Sequence, residues 1–270
     1  MADWDKIGSS GSVDDRRGAP GGLVLGGSAS ILGLLLLVGV NYMSGNSLME
    51  SVFQALNTTT TMPQQTDAPG NAPDDGYKQF ASKVVGSTND TWTQRFTNAG
   101  KTYAEPTLVL FRQATQSGCG VAQSAVGPHY CPADQRIYLD ETFFDELTKQ
   151  LGAKGGDVAQ GYVIAHEVGH HVQNQLNMLG ARTNEESVQV ELQADCFAGV
   201  WAHDVQGKGI FEPGEIGEAI DAAAAVGDDR IQEKVQGRVT PENWTHGSSA
   251  ERVKWFNVGY DTGDMQQCRG

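Results

Sequence analysis

The chain has 270 residues, with 19 Lys and Arg against 33 Asp and Glu, for a formal net charge of −14. With no basic cluster to neutralise phosphates, nucleic acid is excluded as an expected partner. The length beyond the first 75 or so residues suffices for one domain with a real core, and no internal repeat divides it.

Residues 1–20 carry Lys6, Arg16 and Arg17, and are followed at 21–40 by GGLVLGGSASILGLLLLVGV, twenty positions without a charge. A helix of about 20 such residues crosses a hydrocarbon core of about 30 Å. A cleaved signal peptide is the alternative, disfavoured by the length of the apolar run and the lack of an A-x-A site. No Lys or Arg occurs from Asn41 to Tyr77, so the basic flank predicts a cytoplasmic N-terminus (1–20), a single-pass transmembrane anchor (21–40) and the rest of the chain outside. Residues 41–76 include TTTTMPQQTDAPGNAPDDG, the composition of a flexible linker. The domain proper is expected over 77–270.

Within it, the patterning predicts a helix over Tyr77 to Phe96, short strands at Thr107 to Phe111 and Arg136 to Leu139, and a helix from Phe143 to Leu151. From Asp157 onward helices dominate, including Gly214 to Ala225 and Ala250 to Phe256. The expected fold class is therefore α+β, predominantly helical with a small sheet. An edge strand near Arg136 to Asp140 is a candidate for binding a peptide by strand addition.

The stretch GDVAQGYVIAHEVGHHVQNQLNM contains His166-Glu167-Val168-Gly169-His170. Residues four apart share one helix face, so His166 and His170 can present ring nitrogens to one tetrahedral ion. Glu167 sits about 100° round the helix, placed to act as a general base without ligating. The motif alone matches by chance in roughly 1% of chains this long, so context decides. Asp157 reads as the N-cap, and Gly161 and Gly169 suggest close approach by another backbone or a ligand.

A hydrolytic zinc ion needs a third protein donor. In ESVQVELQADCFAGVWAHDVQ, Glu191 and Asp195 lie at i and i+4 on one face. One of them is placed to ligate and the other to accept the free N–H of a bound imidazole. The small residues Ala194, Ala198, Gly199 and Ala202 let this helix come close to the first.

The pair HEVGHH and ELQADCFAG resembles the gluzincin type of zincin metallopeptidase. Together with CGVAQSAVGPHYCPADQRIYLD, AAAAVGDDRIQ and HGSSAERVKWF, from about Gly76 to the C-terminus, it looks like the bacterial family of neutral zinc metallopeptidases, and the DDRRG before the apolar segment is also similar to that family. The resemblance implies a zincin-like domain preceded by one transmembrane helix, anchored in the bacterial inner membrane with the catalytic domain periplasmic or extracellular. It also implies one catalytic Zn2+ held by His166, His170 and Glu191, with Glu167 as base, Asp195 as the partner of His166, and a peptide or protein substrate. In the resembling family the H-G-[ST] element at His246 recurs, so His246 is a candidate oxyanion stabiliser; a capping or packing role is the alternative. His171 points away from the ligand face, and His129 and His203 have no partner pattern.

Four cysteines on the outward side permit two disulfides in three connectivities. Cys119–Cys131, closing a Gly-rich loop, is favoured, and Cys196–Cys268 follows by elimination; four free thiols is the alternative. The expected activity is peptide-bond hydrolysis. A catalytically inactive scaffold that binds an envelope partner and a hydrolase of a non-peptide amide are the competing readings.

Overall fold

The computed structural model describes residues 1–18 and 75–269. Three parallel strands, β1 (Ser12–Asp15), β2 (Thr107–Leu110) and β6 (Arg136–Leu139), pair in register, and β5 (His129–Cys131) closes the sheet antiparallel to β6, in the order β1-β2-β6-β5. A hairpin of β3 (Ala114–Ser117) and β4 (Gly120–Gln123) forms a second, two-stranded sheet.

Because strand side chains alternate between faces, Leu108, Leu110, Ile137 and Leu139 point into the main core. Val109 and Tyr138 face the other way, where Phe111, Ala122 of the hairpin and Cys131 cover them. Burial on both faces is what makes the central strands read as apolar runs.

The remainder is helical: α1 (Tyr77–Asn98), α2 (Phe143–Lys149), α3 (Asp157–Gln175), α4 (Asn184–Gly207), α5 (Ile216–Ala225), α6 (Asp228–Gln236) and α7 (Ser249–Thr262). Helix α3 is buried on nearly every side, so it is the core rather than a surface helix. Thr183 caps α4 by accepting from the Glu186 amide, and Ser248 with Glu251 forms a capping box on α7. Helices α4 and α7 pack at van der Waals distance through a pair of glycines. A Cβ on Gly199 would lie 2.1 Å from the Phe256 carbonyl oxygen, and one on Gly259 would lie 1.9 Å from that of Cys196. Any side chain there would force the helices apart.

Two disulfides join Cys119 to Cys131 and Cys196 to Cys268. The first ties the hairpin turn to β5, and the second ties the C-terminal turn Met265–Cys268 to α4.

The first residues belong to the domain. Trp4 is buried, with its ring near those of Phe80, Trp201 and Phe211. β1 then pairs with β2, and the buried Arg17 bridges Asp15, Asp75 and Glu141.

This corrects the expected transmembrane anchor and single-pass location. Among the described residues no helix is long and apolar enough to cross a membrane, and the segment 21–40 lies outside them. A cytoplasmic 1–20 with the domain on the far side of a membrane is incompatible with β1 and β2 sharing a ladder. The fold is mixed and mostly helical with small sheets, and the expectation of a preceding transmembrane helix is withdrawn.

Two smaller expectations also change. β6 is an interior strand, so the edge strands among the described residues are β1 and β5, not Arg136 to Asp140. Asp157 does not cap its helix; Gly156 holds that position, and the Asp157 carboxylate accepts from the Ala2 amide and the Trp4 indole.

Candidate metal centre

On α3, His166 and His170 stack one turn apart, with ring centroids 4.8 Å apart and planes at 88°. Helix α4 comes close beside Gly169, where a Cβ would meet the Ala194 carbonyl oxygen at 3.0 Å and its Cα at 3.1 Å. That approach brings Glu191 to both rings: Oε2 lies 3.1 Å from His166 Nε2, and Oε1 lies 3.3 Å from His170 Nε2. One ligand atom from each residue falls within 4.8 Å of the others.

The opposite ring nitrogens are both engaged. His166 Nδ1 donates to Asp195 Oδ1 at 2.9 Å, and His170 Nδ1 donates to Gln173 Oε1 at 2.9 Å. The Gln173 amide cannot flip without loss, because its Nε2 donates to the Val190 carbonyl and to Gln193 Oε1. With each Nδ1–H committed, each Nε2 is the ring nitrogen that faces Glu191. Two imidazole nitrogens and a carboxylate, held by outer acceptors, fit a hydrolytic zinc ion with an open position. Sequence reasoning missed Gln173, although it lies at i+3 from His170 on the ligand face.

Asp195 is completely buried and serves three donors: Tyr162 Oη at 2.6 Å, His166 Nδ1, and Arg252 through Nε at 2.7 Å and Nη2 at 2.9 Å. Neither Tyr162 nor Arg252 was singled out from the sequence. Tyr162 had a signal, being at i−4 from His166; Arg252 arrives from α7 and had none.

Burial alone would lower the His166 pKa, but the charge and hydrogen bond of Asp195, joined by Glu191, push it up to about 10. His170 is also raised, the charge of Glu191 outweighing burial. For Glu191, burial favours the neutral acid, yet the two imidazoles hold it well below the usual carboxylate range. These shifts describe a site in which protons sit where a dication fits.

Glu167 is 7% exposed and makes no hydrogen bond or ion pair among the described residues. It faces a cavity of about 530 Å³ that also takes in His166, His170, Glu191 and His246. Much of the wall is apolar, including Val126, Pro128, Phe143, Val163, Leu179 and Val190.

The structure brings His246 to this cavity. Its Nδ1 lies 3.1 Å from Asp228 Oδ1, while Asp228 Oδ2 accepts the backbone N–H groups of Thr245, His246 and Gly247. Desolvation of the ring pulls its pKa down, and the hydrogen bond and charge of Asp228 more than reverse this, leaving it raised. Sequence reading did not find Asp228, the first residue of α6.

The other histidines do different work. His171 is fully buried, with Nδ1 3.0 Å from Tyr130 Oη and Nε2 2.6 Å from the Ala104 carbonyl. It therefore secures β5 against α3. His129 of β5 stacks on its cross-strand partner Tyr138 of β6, and His203 contacts the Tyr260 carbonyl.

Comparison with known proteins identifies the family. The profile of the family described as "Putative neutral zinc metallopeptidase" matches residues 2–270. The chain is 44% identical over 289 aligned positions to "Uncharacterized protein YpfJ" of Escherichia coli K12, covering 98% of this chain and 97% of that one. It is 49% identical over 182 positions to "Uncharacterized protein Mb2605" of Mycobacterium bovis, covering 62% of each. No solved structure matches. By this near-complete match, the chain belongs to the family described as "Putative neutral zinc metallopeptidase".

Proposed function

We propose that the chain is a zinc-dependent peptidase, with His166, His170 and Glu191 holding the ion and Glu167 as general base. The observation that carries this reading is the convergence of both Nε2 atoms on Glu191, beside a free Glu167 carboxylate, in one cavity. Bound zinc supplies Lewis acidity, acidifying water and polarising a carbonyl.

The chain's own residues do the rest. Glu167 accepts the proton of the attacking water and returns it to the leaving nitrogen. His246, held by Asp228, donates to the oxygen on which negative charge develops. β5 is an edge strand among the described residues, and its His129 and Tyr130 line the cavity, which suits an extended peptide added as a further strand. The apolar wall suits a bulky apolar side chain next to the scissile bond.

The test is to load the full chain with zinc and compare it with Glu167→Gln on a mixed peptide library. Equal zinc in both, with cleavage only by the unsubstituted protein, supports the reading. Zinc bound by both with no cleavage by either would favour a scaffold or a non-peptide substrate instead.

A further inference from the structure

Arg252 stands outside the donor set, yet its guanidinium is built in directly behind it. It is 3% exposed and comes from α7, whose glycine contact with α4 brings the two backbones together. Its fork grips both oxygens of Asp195, its Nη1 donates to the Val226 carbonyl, and its Nη2 lies 3.4 Å from Tyr162 Oη. It also lies 4.0 Å from Glu191 Oε2.

A fully buried carboxylate without a counter-charge is strongly unfavourable. A carboxylate behind a metal-binding imidazole both orients the ring and feeds negative charge to it. With Glu191 already at the site, a second net negative charge would weaken the pull of the ion on water and carbonyl oxygen. The bidentate pairing removes that second charge: Asp195 and Arg252 together are neutral, and Asp195 still accepts from His166 Nδ1.

We propose that Arg252 is a positioning residue for the metal centre, pairing with Asp195 so that Asp195 fixes the His166 ring without adding net negative charge. The inference rests on the metal reading above. It separates two jobs of the outer carboxylate, orientation and charge, and assigns the second to Arg252.

The test is a double-substitution cycle on the full chain, reading zinc dissociation constants against a chromophoric chelator and the visible spectrum of the cobalt(II)-loaded protein. Arg252→Met leaves Asp195 buried without its counter-charge, so that it shifts and no longer holds the His166 ring, and Asp195→Asn removes the carboxylate and leaves a buried cation beside Glu191. Each is expected to weaken zinc by about 10- to 100-fold and to alter the cobalt bands. The double variant removes both charges and keeps an amide oxygen for His166 Nδ1. It is expected to bind zinc more tightly than either single variant, with cobalt bands close to those of the unsubstituted protein.

Additive losses in the double variant, or an Arg252→Met protein that binds zinc normally, would overturn the inference. If Arg252→Met does not fold, a folded and zinc-binding double variant still supports it, and an unfolded double variant overturns it. An unsubstituted chain that binds no zinc would remove the metal reading itself, an outcome distinct from zinc binding with additive losses.

Discussion

The indole of Trp4 donates to Asp157 Oδ2 at 2.7 Å, joining the start of the chain to the first turn of the helix that bears His166 and His170. The Ala2 amide donates to the same oxygen. A segment that charge and hydropathy present as a tail is thereby part of the scaffold of the candidate metal centre, and it adds β1 to the sheet.

A chain beginning at Gly76 is therefore expected not to fold to the native state, because it lacks Trp4, Ile7 and the β1 ladder. Trp4→Ala in the full chain should cost about 3–5 kcal/mol by analogy with other buried aromatic deletions. Denaturant unfolding followed by near-ultraviolet circular dichroism checks both. A cooperative transition at full stability in the shortened chain would show that the N-terminal segment is dispensable.

Zinc binding should release protons. With His166 pushed up to about 10 and His170 also raised, the metal-free His166 ring is protonated at pH 7, and an ion must displace that proton and any carried by His170. About one to two protons should be released per zinc ion at neutral pH, and affinity should climb as pH rises towards 10 and fall steeply in acid. Calorimetric titration in buffers of different ionisation enthalpy measures the release. A value near zero would contradict the charge state derived from the Asp195 and Glu191 contacts.

The cluster of candidate donors was legible because its members lie on single helical faces: His166 and His170 at i and i+4, and Glu191 and Asp195 likewise. The disulfides were legible for a different reason, the short Gly-rich loop between Cys119 and Cys131 favouring one pair and leaving the other. Local periodicity does not report what arrives from elsewhere. Arg252 and Asp228 reach the site only through the docking of α7 and the Thr245 to Gly247 turn. β1 was missed because Ser12-Val13-Asp14-Asp15 has one apolar residue; its strand character comes from pairing with β2, not from its own propensity. The same blindness made DDRRG look like the flank of a membrane segment, whereas Asp15 and Arg17 form an ion pair within the fold.

If His246 stabilises the oxyanion, its protonated ring is the active form. That form predominates below its raised pKa and is lost as pH rises through it. Asp228→Asn removes the group that raises it, so the alkaline limb of kcat/KM should move to lower pH, while zinc affinity stays unchanged. His246→Ala should lower kcat by about 10²–10³-fold with KM nearly constant, the size seen for removal of one oxyanion donor. Equal loss in kcat and in thermal stability, with no movement of the alkaline limb in Asp228→Asn, would assign the pair to loop structure alone.

The two disulfides should fail in different ways. Cys196–Cys268 spans 72 residues and Cys119–Cys131 spans 12, so chain-entropy arguments assign them roughly 4 and roughly 3 kcal/mol respectively. Their neighbourhoods differ more than these figures. The Cys268 carbonyl accepts from Gln193, Gln193 accepts from Gln173, and Gln173 accepts from His170. Loss of that bridge through Cys268→Ser should therefore weaken zinc binding as well as stability. Cys131 is a buried residue of β5, next to Tyr130 and the cavity. Cys119→Ser should loosen the edge strand, raise KM for extended peptides several-fold and leave zinc affinity unchanged. Zinc titration and peptide kinetics on the two variants separate these effects, and a pair of variants with identical zinc affinity and identical KM would show that neither bridge communicates with the site.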